Sequence, residues 1–369
     1  MEENGKWFRP FLPDLTQSRF VTLQKQDAHE YASIFKGSAQ PPWLHALWQH
    51  WRQLSEEPFR GITNDGVVRS GFFPLQDEGV AVPEIAVVAQ ELLPLLDESW
   101  SNPEFLLSDK GMRLDEVALA IRTASLKLLE HTLSPEGYQK ALGAMRINGF
   151  LGRLVNAPRI CNDLSYNLAL LGTPSLTSPW GFSFYGHYLC LNILLYRNQI
   201  VVSPCFTGER LGLQLTQSLP LQLRANAQIY KLLHDPSMSH GRWNHDDQQH
   251  LCGAYRENRV VPYEGVRVSD MSSSGPWLVT AIISQFIQYL PTGARTSRLE
   301  QAESWYHETP VISIEFDHHS RVFLNNDTPA KFHIHTVLRT PNGGDYGMAI
   351  RPLMETISQE FVWGGGGDD

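Results

Sequence analysis

Two histidines separated by one residue, and two carboxylates in the same arrangement, are the side chains of this sequence best placed to do chemistry. The histidines are His333 and His335, and the carboxylates are Glu315 and Asp317. Around both pairs, apolar and polar residues alternate, which is typical of half-buried β-strands. Residues i and i+2 lie on one face of a strand, so each pair shares a face. If the two strands pair, imidazoles and carboxylates meet on one surface.

Such a surface can transfer protons or bind a metal ion. Two neutral imidazole nitrogens close together are common ligands of transition metals, and a third histidine or a carboxylate would complete the set. Glu315 and Asp317 could be ligands, general bases, or groups that orient the histidines. Hydrogen-bonded histidines beside solvated carboxylates would produce the same pattern. Of His318 and His319, which come next, at most one can join the site, because adjacent strand residues point in opposite directions.

A further candidate, His187, lies near the middle of the chain. It precedes Asn192 in an otherwise apolar segment that predicts a strand. Buried polar groups require partners. His187 is therefore either a core histidine with its hydrogen bonds satisfied or a member of the site.

Another group of histidines and aspartates extends from His234 to His250. Its spacing matches no standard zinc-binding pattern, and the Pro and Ser residues around it favour a solvated surface loop. A lid over a pocket is the alternative.

Composition and charge narrow the class of protein. The chain has 369 residues, of which 42% are apolar and 19% charged, as in globular proteins that bury a sizeable core. The net charge of −9 argues against a nucleic-acid-binding protein. We find no signal-peptide pattern at the start and no apolar run near the ~20 residues that cross a membrane. Four scattered cysteines indicate reduced thiols, and we expect a cytoplasmic protein without membrane contact.

The elements that must position these residues change type along the chain. Helical periodicity dominates the first part, for example in 43–51 and 114–133, and Ser134 followed by Pro135 predicts a helix start. From Trp180 to Phe206 the pattern is extended and includes a hairpin with Asn198 in its turn. Helical segments follow around 221–233 and 277–290, before the strands that carry the histidines and carboxylates. We therefore predict an α+β fold, in which a helical N-terminal part packs on a mainly antiparallel sheet from the C-terminal half.

We expect these parts to form one integrated domain. Its mainly helical region is 1–150, and its sheet-containing region, 151–363, carries the His/carboxylate cluster. The glycine-rich end, 364–369, is expected to be a flexible tail.

Several segments together resemble a known family. They are 180–182 (WGF), 186–192 (GHYLCLN), 314–317 (IEFD), 333–337 (HIHTV) and 344–347 (GDYG). Their order and spacing are similar to those of domain-of-unknown-function family 3500. The family has Gly-His-His-Leu-Ser-Leu-Asn, Glu-Tyr-Asp, Asn-His-Ile-His-Ser-Val and Asp-Phe-Gly at the last four. The resemblance extends from about Ser134 to Leu353.

The resemblance implies that five positions converge as catalytic groups: His187, Glu315, Asp317, His333 and His335. The three histidines among them would be the ligands if a divalent metal is bound. The chain departs from the family pattern in two places. Tyr188 replaces a second histidine, which weakens the metal hypothesis, and Phe332 replaces an asparagine.

The resemblance also indicates a substrate class. Fungal proteins similar to this chain are associated with natural-product pathways, which implies an apolar small-molecule substrate. The 17 Phe, 10 Trp and 12 Tyr residues are consistent with an aromatic-lined pocket for it.

The preferred hypothesis is a tailoring or ring-forming enzyme of secondary metabolism, such as a cyclase or lyase, that uses acid/base or metal-assisted chemistry. One alternative is a cofactor-free cyclase of Diels–Alder type, which works by positioning its substrate. The other is a non-catalytic binding protein.

Overall fold

The described part of the chain combines nine α-helices with one antiparallel sheet. A computed structural model describes residues 8–92, 111–207, 219–232, 234–239, 242, 250–253, 255–304, 311–319, 324–330 and 333–350. The predicted tail, 364–369, and Phe332 lie outside these residues. No described helix is both long and apolar enough to cross a lipid bilayer.

Six of the nine helices precede the main strands, as the periodicity predicts. They are α1 (Ser18–Leu23), α2 (Ala28–Gly37), α3 (Pro42–Ser55), α4 (Val82–Leu92), α5 (Leu119–Thr132) and α6 (Pro135–Leu154). Three follow later: α7 (Leu221–Ala227), α8 (Ser274–Phe286) and α9 (Thr292–Ser304).

The predicted cap of α6 is confirmed. The Ser134 hydroxyl accepts a hydrogen bond from the Gly137 N–H, and Pro135 occupies the first turn of the helix. The expected helix over 114–133 begins only at Leu119. The Leu114 N–H donates to the Tyr166 carbonyl oxygen, next to the strand pairing of Met112 and Arg113, and the Glu116 N–H donates to the Arg113 carbonyl oxygen in a turn. The first residues of the predicted helix are therefore part of a strand end and a turn.

Seven strands form the sheet: β1 (Met112–Arg113), β2 (Tyr166–Leu171), β3 (Trp180–Gly186), β4 (Leu189–Tyr196), β5 (Gln199–Thr207), β6 (Ser313–His318) and β7 (Ile334–Arg339). Their order is β1-β2-β3-β4-β5-β7-β6, and every neighbouring pair is antiparallel. The α+β prediction, with the sheet from the C-terminal half, is confirmed.

The pairing of β6 with β7 brings the two predicted chemical segments together. Asp317 lies opposite His335, and Glu315 lies opposite Val337. Directly opposite residues of an antiparallel pair project to the same face, so Glu315, Asp317 and His335 share one side of the sheet.

The main hydrophobic core lies between the sheet and helices α4, α5, α6, α8 and α9. Alternate residues of β3 and β4, including Phe182, Phe184 and Leu191, are fully buried in it. A smaller cluster joins α2 to α3, and another joins α1 to the end of α6. The sheet residues that carry the candidate site are thus supported by a packed core.

One correction concerns His187, which the apolar pattern places inside a strand. β3 ends at Gly186 and β4 begins at Leu189, so His187 and Tyr188 form a two-residue turn, and Tyr188 has φ +67°. Gly186 allows this turn to approach β2: a Cβ there would lie 2.7 Å from the Tyr166 ring and 2.9 Å from the Ser165 carbonyl oxygen. The hairpin turn at Asn198, between β4 and β5, is confirmed.

Candidate functional site

Four histidines come together at one end of the β6–β7 pair. They are His250, His319, His333 and His335, and each is only 6–8% exposed. The ring centroids of the contacting pairs are 3.8 to 5.6 Å apart, and the rings of His319 and His335 are the closest. Residues distant in the sequence therefore build one compact imidazole cluster.

The nitrogen atoms of this cluster form two close pairs, and three of them are grouped more loosely. Nε2 of His250 lies 3.1 Å from Nε2 of His319, and Nε2 of His333 lies 3.1 Å from Nε2 of His335. One nitrogen from each of His250, His319 and His335 lies within 4.8 Å of the others. We call these three residues the histidine triad. His333 is a fourth imidazole beside it.

The two strands position most of these rings. His335 is the second residue of β7 and projects beside Asp317 of β6. His319 follows the last residue of β6, and its N–H donates to the His333 carbonyl oxygen at 2.7 Å. That bond extends the ladder past the end of both strands, so His319 and His333 are held by the same pairing that aligns His335.

Burial keeps three of the four histidines uncharged. Desolvation lowers the pKa of His333 to about 4. Desolvation and the nearby imidazoles lower the pKa of His319 to about 3 and that of His335 well below its ordinary value. The neutral imidazole is the form that carries a lone pair and binds a metal ion. The cluster is thus ready to ligate a cation at neutral pH.

Asp317 lies at the edge of the histidine triad. Its Oδ2 is 3.8 Å from Nε2 of His250 and, among the described residues, accepts no hydrogen bond. Burial, and then the charge of Glu315, raise the pKa of the Asp317 carboxyl to about 8. A carboxyl group with such a pKa can hold or release a proton near neutral pH.

Glu315 shares the face of Asp317 but has a different environment. Its carboxylate accepts hydrogen bonds from the backbone N–H groups of Leu251 and Cys252, the second at 2.9 Å. Among the roles considered from the sequence, these contacts support orientation of the residues around His250.

His187 belongs to the surroundings of the cluster and is not part of the histidine triad. Its Nδ1 lies 3.2 Å from Oδ1 of Asn148, and its ring is tilted by 31° against that of Tyr188, with centroids 3.9 Å apart. Desolvation, together with the charge of His333, lowers the pKa of His187 to about 3. The Nδ2 of Asn148 donates to the Asn162 carbonyl oxygen and to the Ser165 hydroxyl, which identifies the atom that faces His187 as the amide oxygen. That oxygen accepts a hydrogen bond from Nδ1 of His187.

Two of the three triad residues, His250 and His319, are not among the five predicted site residues. The solvated loop expected for His250 is wrong, because the residue is 7% exposed and in contact with His319. Of the adjacent pair, the cluster contains His319, whereas His318 is exposed. His234 is exposed as expected, and the histidines and aspartates at 240 and 245–247 lie outside the described residues.

A small cavity lies elsewhere, beside β5, β7 and the segment after α8. Its lining is aliphatic apart from Ser203, Arg298 and Thr340. No aromatic side chain and none of the five predicted site residues lines this cavity. The aromatic-lined pocket expected from composition therefore stays a prediction.

Comparison with known proteins identifies a family. A family model described as "Protein of unknown function (DUF3500)" matches residues 95–210, 208–311 and 307–348, which is well over half of the chain. No curated protein and no solved structure matches the sequence. The matched residues include the histidine triad, His187, His333 and both carboxylates.

Proposed function

The chain belongs to the DUF3500 family, and we propose that it is a metal-dependent enzyme whose metal ligands are His250, His319 and His335. The observation that carries this proposal is the grouping of three buried imidazole nitrogens within 4.8 Å of one another. Grouped lone pairs repel one another unless a proton or a cation lies between them, and a divalent cation satisfies three at once.

One distance within the histidine triad suits a first-row transition metal. Zinc–nitrogen bonds of about 2.0–2.1 Å in tetrahedral geometry place two ligand nitrogens roughly 3.3 Å apart. The 3.1 Å between Nε2 of His250 and Nε2 of His319 is close to that value. Imidazole ligands suit zinc, copper, iron and nickel. A set of three histidines differs from the proposal based on sequence alone, in which His187 and His333 were ligands.

Three protein ligands leave a coordination position for water or substrate, as catalytic metal sites require. A metal ion there would supply Lewis acidity toward a carbonyl or a bound water. Asp317 would hold or accept the proton that moves, because its Oδ2 lies 3.8 Å from Nε2 of His250 and accepts no hydrogen bond from the described residues. His333 would remain a neutral imidazole next to the reacting group.

The substrate that we propose is an apolar small molecule of the natural-product type, tailored or closed into a ring in a cyclase or lyase reaction. This part of the proposal is supported by the sequence resemblance and by the abundance of aromatic residues. The histidine triad and Asp317 supply groups that such a reaction can use, namely a Lewis acid site and a proton carrier.

A second function is favoured by one specific observation. The two Nε2···Nε2 distances of 3.1 Å also fit N–H···N hydrogen bonds between neutral imidazoles. In that case the cluster would be a metal-free hydrogen-bonding site, as in a cofactor-free cyclase that polarises a carbonyl group. Hydrogen bonds explain the His250–His319 contact and the His333–His335 contact separately. A metal ion explains why nitrogens of His250, His319 and His335 lie together.

Elemental analysis separates the two functions. We expect about one zinc, copper, iron or nickel ion per chain in protein that has been stripped, reloaded and desalted. His250→Ala, His319→Ala and His335→Ala should each lose it, because two remaining ligands bind weakly. His131→Ala, which changes an exposed histidine of α5, is the matched control and should keep the metal. Wild-type protein that takes up no metal would exclude the metal-dependent function and favour the metal-free one.

A further inference from the structure

The backbone that follows His250 is held by side chains from both strands of the site. Glu315 of β6 accepts the N–H groups of Leu251 and Cys252. Arg339 of β7 donates from Nη1 to the carbonyl oxygens of Cys252 and Gly253, each at 3.4 Å. The N–H groups and carbonyl oxygens of the segment 251–253 are thus bound by side chains of β6 and β7, the strands that carry Asp317 and His335.

Arg339 is itself fixed by buried carboxylates. It is 2% exposed, and its Nε donates to Oδ2 of Asp345 at 2.8 Å. Its Nη2 donates to Glu257, whose other oxygen accepts the Tyr346 hydroxyl proton at 2.9 Å. One guanidinium between two carboxylates satisfies the charge on both sides, and a fork of N–H donors fixes its orientation.

Asp345 is held by its hydrogen bonds and by the turn in 344–347. Asp345 is fully buried and accepts hydrogen bonds from the Thr340 N–H at 2.7 Å and the Ser203 hydroxyl at 2.5 Å. Tyr346 and Gly347 both have positive φ, 55° and 63°. This tight turn presents the carboxylate to Arg339 and the phenol to Glu257. A segment that resembles the family pattern therefore holds the guanidinium.

We propose that Glu315 and Arg339 are positioning residues that form a backbone clamp, which holds His250 toward His319 and His335 before a metal ion binds. The inference rests on the proposed metal-dependent function. His250 comes from a segment remote from the β6–β7 pair, so without the clamp its imidazole would have to be ordered on binding. A metal ion binds more tightly when the His250 imidazole is already in position, because binding then does not have to order that side chain.

The clamp is tested by zinc affinity in competition with a chromophoric chelator. We expect Glu315→Gln and Arg339→Lys to weaken zinc binding by about 10- to 100-fold, the range seen when groups behind metal ligands are changed. Glu315→Asp, which keeps the carboxylate, should recover part of the loss. The visible spectrum of the cobalt-loaded variants should shift, since a displaced His250 changes the ligand geometry.

Asp77→Asn is the matched control, because Asp77 is an exposed carboxylate that also accepts a backbone N–H, from Gly79 at 2.8 Å. Its zinc affinity and cobalt spectrum should equal those of the wild type. Far-ultraviolet circular dichroism of each metal-free variant establishes that it is folded.

The outcomes separate the two proposals. Wild-type protein that binds none of zinc, copper, iron and nickel overturns the metal-dependent function. Zinc-binding wild type with unchanged affinity in Glu315→Gln and Arg339→Lys overturns the clamp alone. If these variants do not fold, hydrogen exchange on metal-free wild type decides. Protected amides at Leu251 and Cys252 support the clamp, and amides that exchange at the rate of an unstructured peptide overturn it.

Discussion

Asp317 combines the properties that a proton-transfer group needs. Its carboxyl is mostly buried, one oxygen accepts no hydrogen bond from the described residues, and an imidazole lies beside it. Its neighbour Glu315 is two residues away on the same face but accepts two backbone N–H groups. Two carboxylates of one strand therefore have different surroundings, which suits them to different roles.

The raised pKa of Asp317 predicts a pH-dependent effect of Asp317→Asn in metal-free protein. The carboxyl ionises near 3.9 in an unfolded chain and at about 8 in the folded protein. Between these values the folded state holds an extra proton, so its stability falls as pH rises, and asparagine removes this loss. We expect the variant to be stabilised by roughly 1–3 kcal/mol at pH 8 and little changed at pH 4, the partial exposure of the group reducing the full linkage value.

Urea unfolding at the two pH values, with chelator present, measures this difference. Asp77→Asn is the opposite case: the Gly79 N–H and the Asn198 side chain hold the pKa of Asp77 below its ordinary value. Its substitution should destabilise the protein above that pKa. An Asp317→Asn effect that is equal at pH 4 and pH 8 would contradict the raised pKa.

Some individual residues of the candidate site are predictable from the sequence. Strand alternation correctly grouped Glu315, Asp317 and His335 on one face, and the same alternation continues to His319 and away from His318. His250 carried no such signal, because it lies outside any strand and its neighbours in space are 69 and 85 residues further along. Only the apolar Leu251 and Cys252 after it indicated burial.

Strand β7 determines how the site is arranged. It lies between β5 and β6, so both of its edges are hydrogen-bonded. Its side chains alternate between His335 on the site face and Thr336 on the opposite face. Thr336 is 1% exposed, and its hydroxyl has no hydrogen-bond partner among the described residues. β7 thus carries a buried hydroxyl, that of Thr336, on the face opposite to the histidine triad.

Thr336→Val is expected to stabilise the protein by about 1 kcal/mol, because it removes an unsatisfied buried hydroxyl and keeps a β-branched side chain. Metal content should not change, since Thr336 faces away from His335. Thermal unfolding and elemental analysis of the variant check both statements. Thr132→Val, which deletes a buried hydroxyl that donates to the Leu128 carbonyl at 2.7 Å, is the control and should not be stabilised to the same extent. A clear loss of stability in Thr336→Val would show that its hydroxyl is bonded.

Elements with strong periodicity or clear caps were predictable, whereas others were not. The cap at Ser134 and the hairpin at Asn198 follow from local chemistry. The turn at His187 and Tyr188 was missed because its backbone, with Tyr188 at positive φ, uses a residue type that rarely marks turns. Helix α9 (Thr292–Ser304) was missed because it is mainly polar and buries only Ala294 and Ala302.

For the molecule as a whole, the histidine triad would connect separate parts of the fold. His250 comes from the segment before α8, whereas His319 and His335 belong to the ends of β6 and β7. A metal ion bound by all three would crosslink them only in the folded state. Ligands that bind the native state alone increase its stability by mass action.

Zinc should therefore raise the midpoint of thermal unfolding reversibly. At a free concentration 100 times the Kd, we expect about 2.7 kcal/mol of added stability at one site. Excess chelator should return the midpoint to its metal-free value, and His335→Ala should show no zinc-dependent shift. Differential scanning calorimetry provides the measurement. An equal shift in His335→Ala would place the zinc at another site.

The sheet order has a consequence for biosynthesis. β6 reaches the sheet only through β7, although β7 follows it in the chain. While the protein is being translated, β5 can pair with β4 at once, but its second partner, β7, emerges more than 120 residues later. The nascent chain therefore cannot assemble the imidazole cluster until β7 has left the ribosome, and any capture of a cation would have to follow that step.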